Sequence, residues 1–122
     1  MYPRLVIDMN KLSGNLDAVA EIAKNQGGCS LMIVTKALCA DEKVVEMIAA
    51  HPAVDYLADS RVQNIKKNYE AIKANGKQSV LLRLPMASEI EEVVKYVDIS
   101  FNSEMATLEM LNEEAAKQGK VH

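Results

Sequence analysis

Short apolar runs alternate with amphipathic segments along the 122-residue chain. The apolar runs are typical of strands, and they cover residues 4–9, 30–35, 55–58, 79–84 and 98–101. Between these runs, apolar residues recur every three or four positions, as they do on the buried face of a helix. The first such helix is predicted to begin at Asn10 and to end at Gly27 and Gly28.

The later helices are predicted from their amino-terminal capping signals. Asp41 is placed to cap the second helix, and residues 60–63 and 88–91 have the Ser-x-x-Gln/Glu spacing of a capping box. A last helix is predicted from about Ser103, and residues 120–122 have the pattern of a further strand beginning. The resulting order is βαβαβαβαβα.

Strands that alternate with single helices predict an α/β fold with parallel strands. An open doubly wound sheet and part of a TIM-type (β/α)8 barrel both fit this pattern. A complete barrel needs about 250 residues, so we expect residues 1–122 to be the amino-terminal portion of one larger, incomplete domain.

Composition narrows the function classes. The chain is 49% hydrophobic and 25% charged with a net charge of −3, which is typical of a globular domain. It has no basic stripe and few aromatic residues, so no nucleic-acid partner is expected. It also has no long apolar run or signal peptide, so no membrane partner is expected and a cytoplasmic location is predicted.

The cysteines and histidines do not indicate a metal site. Cys29 and Cys39 lack metal-ligand spacing and fit a reducing compartment. His51 and His122 are far apart in sequence, and His51 precedes a proline at a predicted helix end, where a capping role is expected.

Lys36 is the candidate nucleophile, because it ends the apolar strand that begins near Ser30. Side chains alternate along a strand, so Met32, Val34 and Lys36 are predicted to share one side and Thr35 to face the helices. A primary amine at the carboxyl end of a buried strand is suited to nucleophilic chemistry. The alternative is that Lys36 only returns the chain to solvent.

Other polar residues also fall at predicted strand ends. Arg83 needs partners if it is buried, and we expect it to pair with Asp59 at the rim of the sheet. It is equally open that these strand-end residues cap the helices that follow them, Asp59 or Ser60 at one helix and Asn102 or Ser103 at the other. Cys39 is three residues past Lys36, so it remains open whether its thiol lies in the same pocket as the Lys36 amine.

An ordered set of segments resembles the alanine racemase superfamily, the fold-type III enzymes that use pyridoxal 5′-phosphate (PLP), and is most similar to its ornithine racemase branch. The central segment is Met32-Ile33-Val34-Thr35-Lys36-Ala37, which is similar to the family's lysine segment. The others are residues 2–8, 55–61, 81–86 and 98–104, so that the resemblance covers essentially the whole chain.

The resemblance implies a PLP-dependent amino-acid racemase, of the ornithine or alanine type, in the parent protein. Lys36 would then form the Schiff base with PLP and act as the acid/base group on one face of the substrate. Its amine would be activated by desolvation or by a cation such as Arg83, since either lowers the pKa of a lysine. The family's active site is completed across a homodimer.

The chain also departs from the family pattern. Residues 37–40 lack the tyrosine that alanine racemases have shortly after the lysine. The family's phosphate-binding elements and its opposite-face tyrosine come from later sequence, so we expect these 122 residues alone to be inactive.

Two alternatives remain from other classes. One is a non-catalytic PLP-binding protein of the PLP-homeostasis kind. The other is a self-associating module without a cofactor, because an incomplete barrel exposes two sheet edges.

Overall fold

A computed structural model describes residues 2–122 of the chain. In chain order the elements are α1 (Met9–Ala20), β1 (Met32–Val34), α2 (Glu42–Ala50), β2 (Tyr56–Asp59), α3 (Val62–Lys67), α4 (Tyr69–Ala74), β3 (Gln78–Leu81), α5 (Ile90–Tyr96), β4 (Ile99–Ser100) and α6 (Met105–Gln118). A π-helical turn, Glu21–Gln26, extends α1, and 3-10 turns occupy Lys36–Leu38 and Ala87–Glu89.

The four strands form one parallel sheet in the order β1-β2-β3-β4. Ile33, Leu57 and Leu81 lie on one face of this sheet, and buried residues from all six helices pack with them in two clusters. Helices on a single face are typical of a barrel and not of a doubly wound sheet. The predicted α/β alternation with parallel strands is therefore confirmed, and the architecture is that of a TIM-type barrel segment.

The other face of the sheet carries no helix and is the concave side of the barrel segment. Ala58 and Val80 are buried at its centre, whereas apolar side chains of the outer strands remain open to solvent. These are Met32 at 36% exposure, Val34 at 43%, Ile99 at 36% and Phe101 at 51%. We call this the inner face.

The strand predicted at residues 4–9 is wrong. Residues 2–8 form no helix or strand, and Leu5 and Val6 are exposed. The next helix begins instead at Met9, because the Asp8 carboxylate accepts the backbone N–H groups of Asn10 and Lys11 at 3.1 Å. An apolar run becomes a strand only where another strand pairs with it, and no described strand pairs with this segment.

Of the helix-end signals predicted from sequence, two are confirmed and two are wrong. Asp41 caps α2 as predicted, accepting the N–H of Val44 at 3.2 Å, and Gly28 adopts a positive φ of 66° just after the first helix. The capping boxes predicted at 60–63 and 88–91 are wrong. The carboxylates of Asp59 and Glu89 accept nearby N–H groups instead, those of Arg61 at 2.9 Å and of Met86 at 3.2 Å.

Candidate functional site

Lys36 lies at the carboxyl end of β1, two residues beyond Val34, and opens a 3-10 turn. The residue before it, Thr35, points into the helix layer and is only 9% exposed. The Lys36 side chain is exposed. The alternation predicted from sequence is thus confirmed for Thr35, which faces the helices, and for Met32 and Val34, which lie on the inner face.

The dry setting expected for the Lys36 amine is not found. Four strands leave the inner face open, so nothing in the described chain covers the residues below Lys36. Over residues 2–122 the amine also takes part in no ion pair. No carboxylate of the described residues therefore holds the Lys36 amine in a fixed position.

The turn that follows Lys36 has an unusual backbone. Cys39 and Ala40 have φ values of 49° and 48°, in the left-handed region that side chains with a Cβ rarely adopt. The N–H of Cys39 donates to the Lys36 carbonyl at 3.1 Å, and the N–H of Ala40 donates to the Thr35 carbonyl at 3.1 Å. The chain therefore turns back sharply after the lysine, and the Cys39 side chain is exposed.

Asp59, at the end of β2, is 1% exposed and lies directly behind this turn. Its carboxylate accepts hydrogen bonds from the Thr35 hydroxyl at 2.9 Å, the Arg61 N–H at 2.9 Å and the Asn64 amide at 3.0 Å. No lysine, arginine or histidine of the described chain forms an ion pair with it. Neutral donors alone therefore stabilise this buried carboxylate, whose desolvation costs several kcal/mol.

The predicted pairing of Arg83 with Asp59 is wrong. Arg83 forms an ion pair with Glu89 at 2.8 Å, and its other nitrogens donate to the carbonyls of Ser60 at 2.6 Å and Leu84 at 3.0 Å. Asp59 is buried and accepts three hydrogen bonds from neutral donors, whereas the Ala87–Glu89 turn returns Glu89 to the guanidinium. The hydrogen bond to Glu89 raises the pKa of Arg83, and the same bond lowers the pKa of Glu89.

The remaining residues named from sequence lie away from Lys36 or serve the backbone. Asn102 donates to the carbonyl of Ser100 at 3.1 Å, and α6 begins after Glu104 with no side-chain cap, so neither Asn102 nor Ser103 caps it. His51 ends α2 as predicted. Its Nδ1 accepts the Ala53 N–H at 3.2 Å, which leaves Nε2 to donate to Asp17 at 2.8 Å.

Residues 2–122 contain no candidate metal cluster and no candidate membrane span. No group of three or more His, Cys, Asp or Glu side chains is placed to share a metal ion. None of the helices combines the length and apolar character that crossing a bilayer requires.

Sequence reasoning missed three polar residues around the lysine turn. The sequence predicts only that the Thr35 side chain faces the helices, and it predicts no role for Asn64 or Asn68. Asn68 separates α3 from α4 and is 4% exposed. The available signal was two asparagines four residues apart on a predicted amphipathic helix, a spacing that places both on one face.

Comparisons with known proteins agree with this geometry. The family described as "Alanine racemase, N-terminal domain" matches residues 7–122. An ornithine racemase of Acetoanaerobium sticklandii is 44% identical over the whole chain, which spans 33% of that protein. A lysine racemase of Thermotoga maritima is 33% identical over 80% of the chain and 27% of its own length. The chain thus spans about a third or less of these curated relatives, and no solved structure matches it.

Proposed function

The chain belongs to the alanine racemase N-terminal domain family, and from this membership we propose that it supplies the lysine-bearing part of a PLP-dependent amino-acid racemase. One observation carries the proposal. Lys36 presents an amine without an ion pair at the carboxyl end of β1, and the strand below it contributes to the helix-free face of the sheet. Active sites of barrel enzymes lie at that end of the strands.

The residues present fit part of what the cofactor requires. PLP reacts through an aldehyde, and a primary amine is the side chain that bonds to it covalently. Met32 and Val34 provide apolar surface beneath Lys36 on the inner face. When bound, PLP supplies the electron sink that makes the substrate Cα proton removable.

Lys36 Nζ has two tasks in this proposal. As a nucleophile it must be unprotonated when it meets the aldehyde carbon. Once released by substrate, the same nitrogen takes the Cα proton from one face or returns it there. A racemase needs a second acid/base group on the opposite face, and we propose that this group lies outside these 122 residues.

The names of the relatives suggest the substrate class. One curated relative is named for ornithine and the other for lysine. We therefore propose a racemase of a diamino acid, with ornithine favoured, and we keep alanine as the alternative. Because the chain spans 33% of the ornithine racemase, we propose that it binds PLP but does not racemise amino acids alone.

A spectroscopic comparison of two variants tests the proposal. The full 122-residue chain is mixed with PLP, and the visible absorbance of the bound cofactor is recorded. Lys36→Ala is expected to abolish the specific absorbance, whereas Lys43→Ala, at an exposed lysine of α2, is expected to leave it unchanged. Equal spectra for the two variants would remove Lys36 from the account.

The exposed inner face favours one further proposal about partners. Four parallel strands are half of the eight that close a barrel, and Met32, Val34, Ile99 and Phe101 leave apolar surface open on them. We propose that the chain associates with a second copy through this face. We expect wild type to sediment as a dimer and Phe101→Asp to sediment as a monomer. A wild-type monomer at high concentration would contradict the proposal.

The two free cysteines support a cytoplasmic location.

A further inference from the structure

A closed ring of hydrogen bonds surrounds the Lys36 turn. The Thr35 hydroxyl donates to Asp59, and the Asn64 amide donates to the same carboxylate. The Asn68 amide then donates to the Asn64 carbonyl at 3.1 Å and to the Ala40 carbonyl at 3.0 Å. The Ala40 N–H returns to the Thr35 carbonyl at 3.1 Å, which completes the hydrogen-bond ring.

The hydrogen-bond ring fixes the chain on both sides of Lys36. Thr35 immediately precedes the lysine, and Ala40 lies four residues after it. Asn68 reaches Ala40 because the helix is interrupted there, with Asn68 at φ −102° and ψ 9° between α3 and α4. The interruption therefore brings the buried Asn68 amide to the backbone of the lysine turn.

The turn needs such external support. Two consecutive non-glycine residues in the left-handed region, Cys39 and Ala40, are strained and persist only where surrounding contacts determine them. The Asn68 amide holds the Ala40 carbonyl, and the Lys67 amine donates to the Cys39 carbonyl at 3.2 Å. Without these contacts, the turn would relax to an ordinary backbone conformation.

The polar residues of the ring are also costly to bury. Asp59 is 1% exposed and Asn68 is 4% exposed, and a buried polar network lowers stability unless every member is satisfied. Here the described donors and acceptors are matched around the turn. Among residues 2–122 the Lys36 side chain forms no hydrogen bond or ion pair, whereas its backbone carbonyl accepts the N–H of Cys39, so its amine is unpaired while its backbone is held.

We propose that Thr35, Asp59 and Asn68 are positioning residues, which hold the Lys36 turn so that the lysine amine is presented in one direction on the inner face. This inference rests on the proposed function, because it gives the ring a task only if Lys36 is the PLP lysine. None of the three touches the cofactor in this account. They act through the backbone on either side of Lys36.

The test uses the full chain and pairs each variant with a matched control. Thr35→Val removes the ring hydroxyl at nearly constant volume, and Thr35→Ser restores it. Thr107→Val is the control at a second threonine, 3% exposed, in α6. Asn68→Ala is matched by Asn75→Ala, which also removes an amide-to-carbonyl hydrogen bond, the 2.8 Å bond to Ala71. Thermal melts establish the temperature at which every variant is folded.

The first measurement is borohydride trapping of PLP, followed by mass spectrometry of the labelled peptides. Thr35→Val and Asn68→Ala are expected to reduce the label on Lys36, relative to the other lysines, by about tenfold, the factor that corresponds to the loss of one buried hydrogen bond. Thr35→Ser, Thr107→Val and Asn75→Ala are expected to retain it.

The second measurement needs no cofactor. Amide hydrogen exchange at Cys39 and Ala40 is expected to be slow in wild type and in the controls, and fast in Thr35→Val and Asn68→Ala. If wild type shows no preference for Lys36 in trapping, the proposed function is lost and exchange alone decides the inference. Unchanged exchange in the folded ring variants overturns it. So does faster exchange accompanied by unchanged trapping in a protein whose wild type prefers Lys36.

Discussion

The two ends of the parallel sheet treat their charged residues differently. At the amino ends of the strands, aspartates pair with lysines. Asp55 binds Lys24 at 2.9 Å and accepts the Leu31 N–H at 2.7 Å, and Asp98 binds Lys73 and accepts the Ser79 N–H at 2.7 Å. Each aspartate precedes its own strand and accepts a backbone N–H at the amino end of the neighbouring one, just before β1 or within β3.

At the carboxyl ends of β1 and β2 the charges are not neutralised in this way, although Arg83, just beyond β3, pairs with Glu89. Lys36 is exposed without an ion pair among residues 2–122, and the buried Asp59 is satisfied by neutral donors only. The comparison teaches that the amino end pairs its charges in ways that stabilise the sheet, whereas the carboxyl end of β1 leaves an amine exposed and unpaired among residues 2–122. Four predictions sharpen this difference or break it.

Removing an amino-end aspartate is expected to have the largest effect on stability. Asp98→Ala eliminates the Lys73 ion pair, leaves the backbone N–H of Ser79 without its acceptor, and removes one of the two acceptors of the Ser79 hydroxyl. The free energy of unfolding in urea should fall by about 2–3 kcal/mol, with PLP trapping on Lys36 preserved in the folded protein. Asp8→Ala, at an exposed helix cap, should cost only about 1 kcal/mol. Equal losses in the two variants would contradict the structural role of the amino end.

Acid is expected to destabilise the chain through the same end. The Leu31 N–H and Lys24 lower the pKa of Asp55. Burial raises the pKa of Asp98, but the hydrogen bonds from Lys73 and Ser79 outweigh it and lower the pKa overall. A depressed carboxyl pKa contributes stability above its unfolded value of about 3.9, and this stability is lost as the pH falls through the folded value.

Each such proton contributes a slope of up to about 1.4 kcal/mol per pH unit below pH 4. Urea unfolding from pH 6 to pH 2.5 should show this decline in wild type and in Lys36→Met, and a shallower one in Asp98→Asn. The same slope in all three proteins would show that Asp98 is not among the titrating groups.

Relieving the backbone at the lysine turn is expected to have a smaller effect. Glycine adopts a φ of 49° without a steric penalty, so Cys39→Gly should stabilise the chain by about 0.5–1 kcal/mol. Cys29→Gly serves as the control, because it removes an exposed thiol where φ is not positive. A destabilised Cys39→Gly together with a neutral Cys29→Gly would argue that the turn carries no strain.

Lys36 itself is expected to matter least for stability. Its side chain is exposed and forms no ion pair with the described residues, so Lys36→Met should change the free energy of unfolding by less than about 0.5 kcal/mol. Urea denaturation measures this directly. A loss of 2 kcal/mol or more would mean that Lys36 is part of the structural framework, and the contrast between the two ends would disappear.

Much of the architecture was predictable from local sequence. The alternation of strands and helices gave the parallel sheet, and the period of two along residues 30–35 placed Thr35 in the helix layer with Met32 and Val34 on the opposite face. These features depend on short-range periodicity and steric rules. The caps at Asp41 and Gly28 are local in the same sense.

The failures concern long-range partners. The run at 4–9 has a strand's composition, but composition does not supply a pairing strand. Neither predicted serine capping box forms. Asp59 accepts the N–H of Arg61 and Glu89 accepts the N–H of Met86, and a carboxylate is a stronger acceptor than a hydroxyl. Arg83 pairs with Glu89 and not with Asp59, because the fold brings Glu89 to the guanidinium and surrounds Asp59 with neutral donors. This arrangement is visible only in three dimensions.

The left-handed backbone at Cys39 and Ala40 had no signal in the sequence, since neither residue favours that conformation. It follows from contacts with α3 and α4 that are about 28 residues away along the chain. The site was thus predictable as a lysine at a strand end, but not as a turn held from behind.

The most direct test of the central claim is the position at which PLP attaches. Wild-type chain is incubated with a stoichiometric amount of PLP and reduced with borohydride, and the label on every lysine is quantified by peptide mass spectrometry. The account predicts that Lys36 carries most of the label, although other lysines such as Lys11 and Lys117 are exposed too. A label spread over the surface lysines in proportion to their exposure would contradict it.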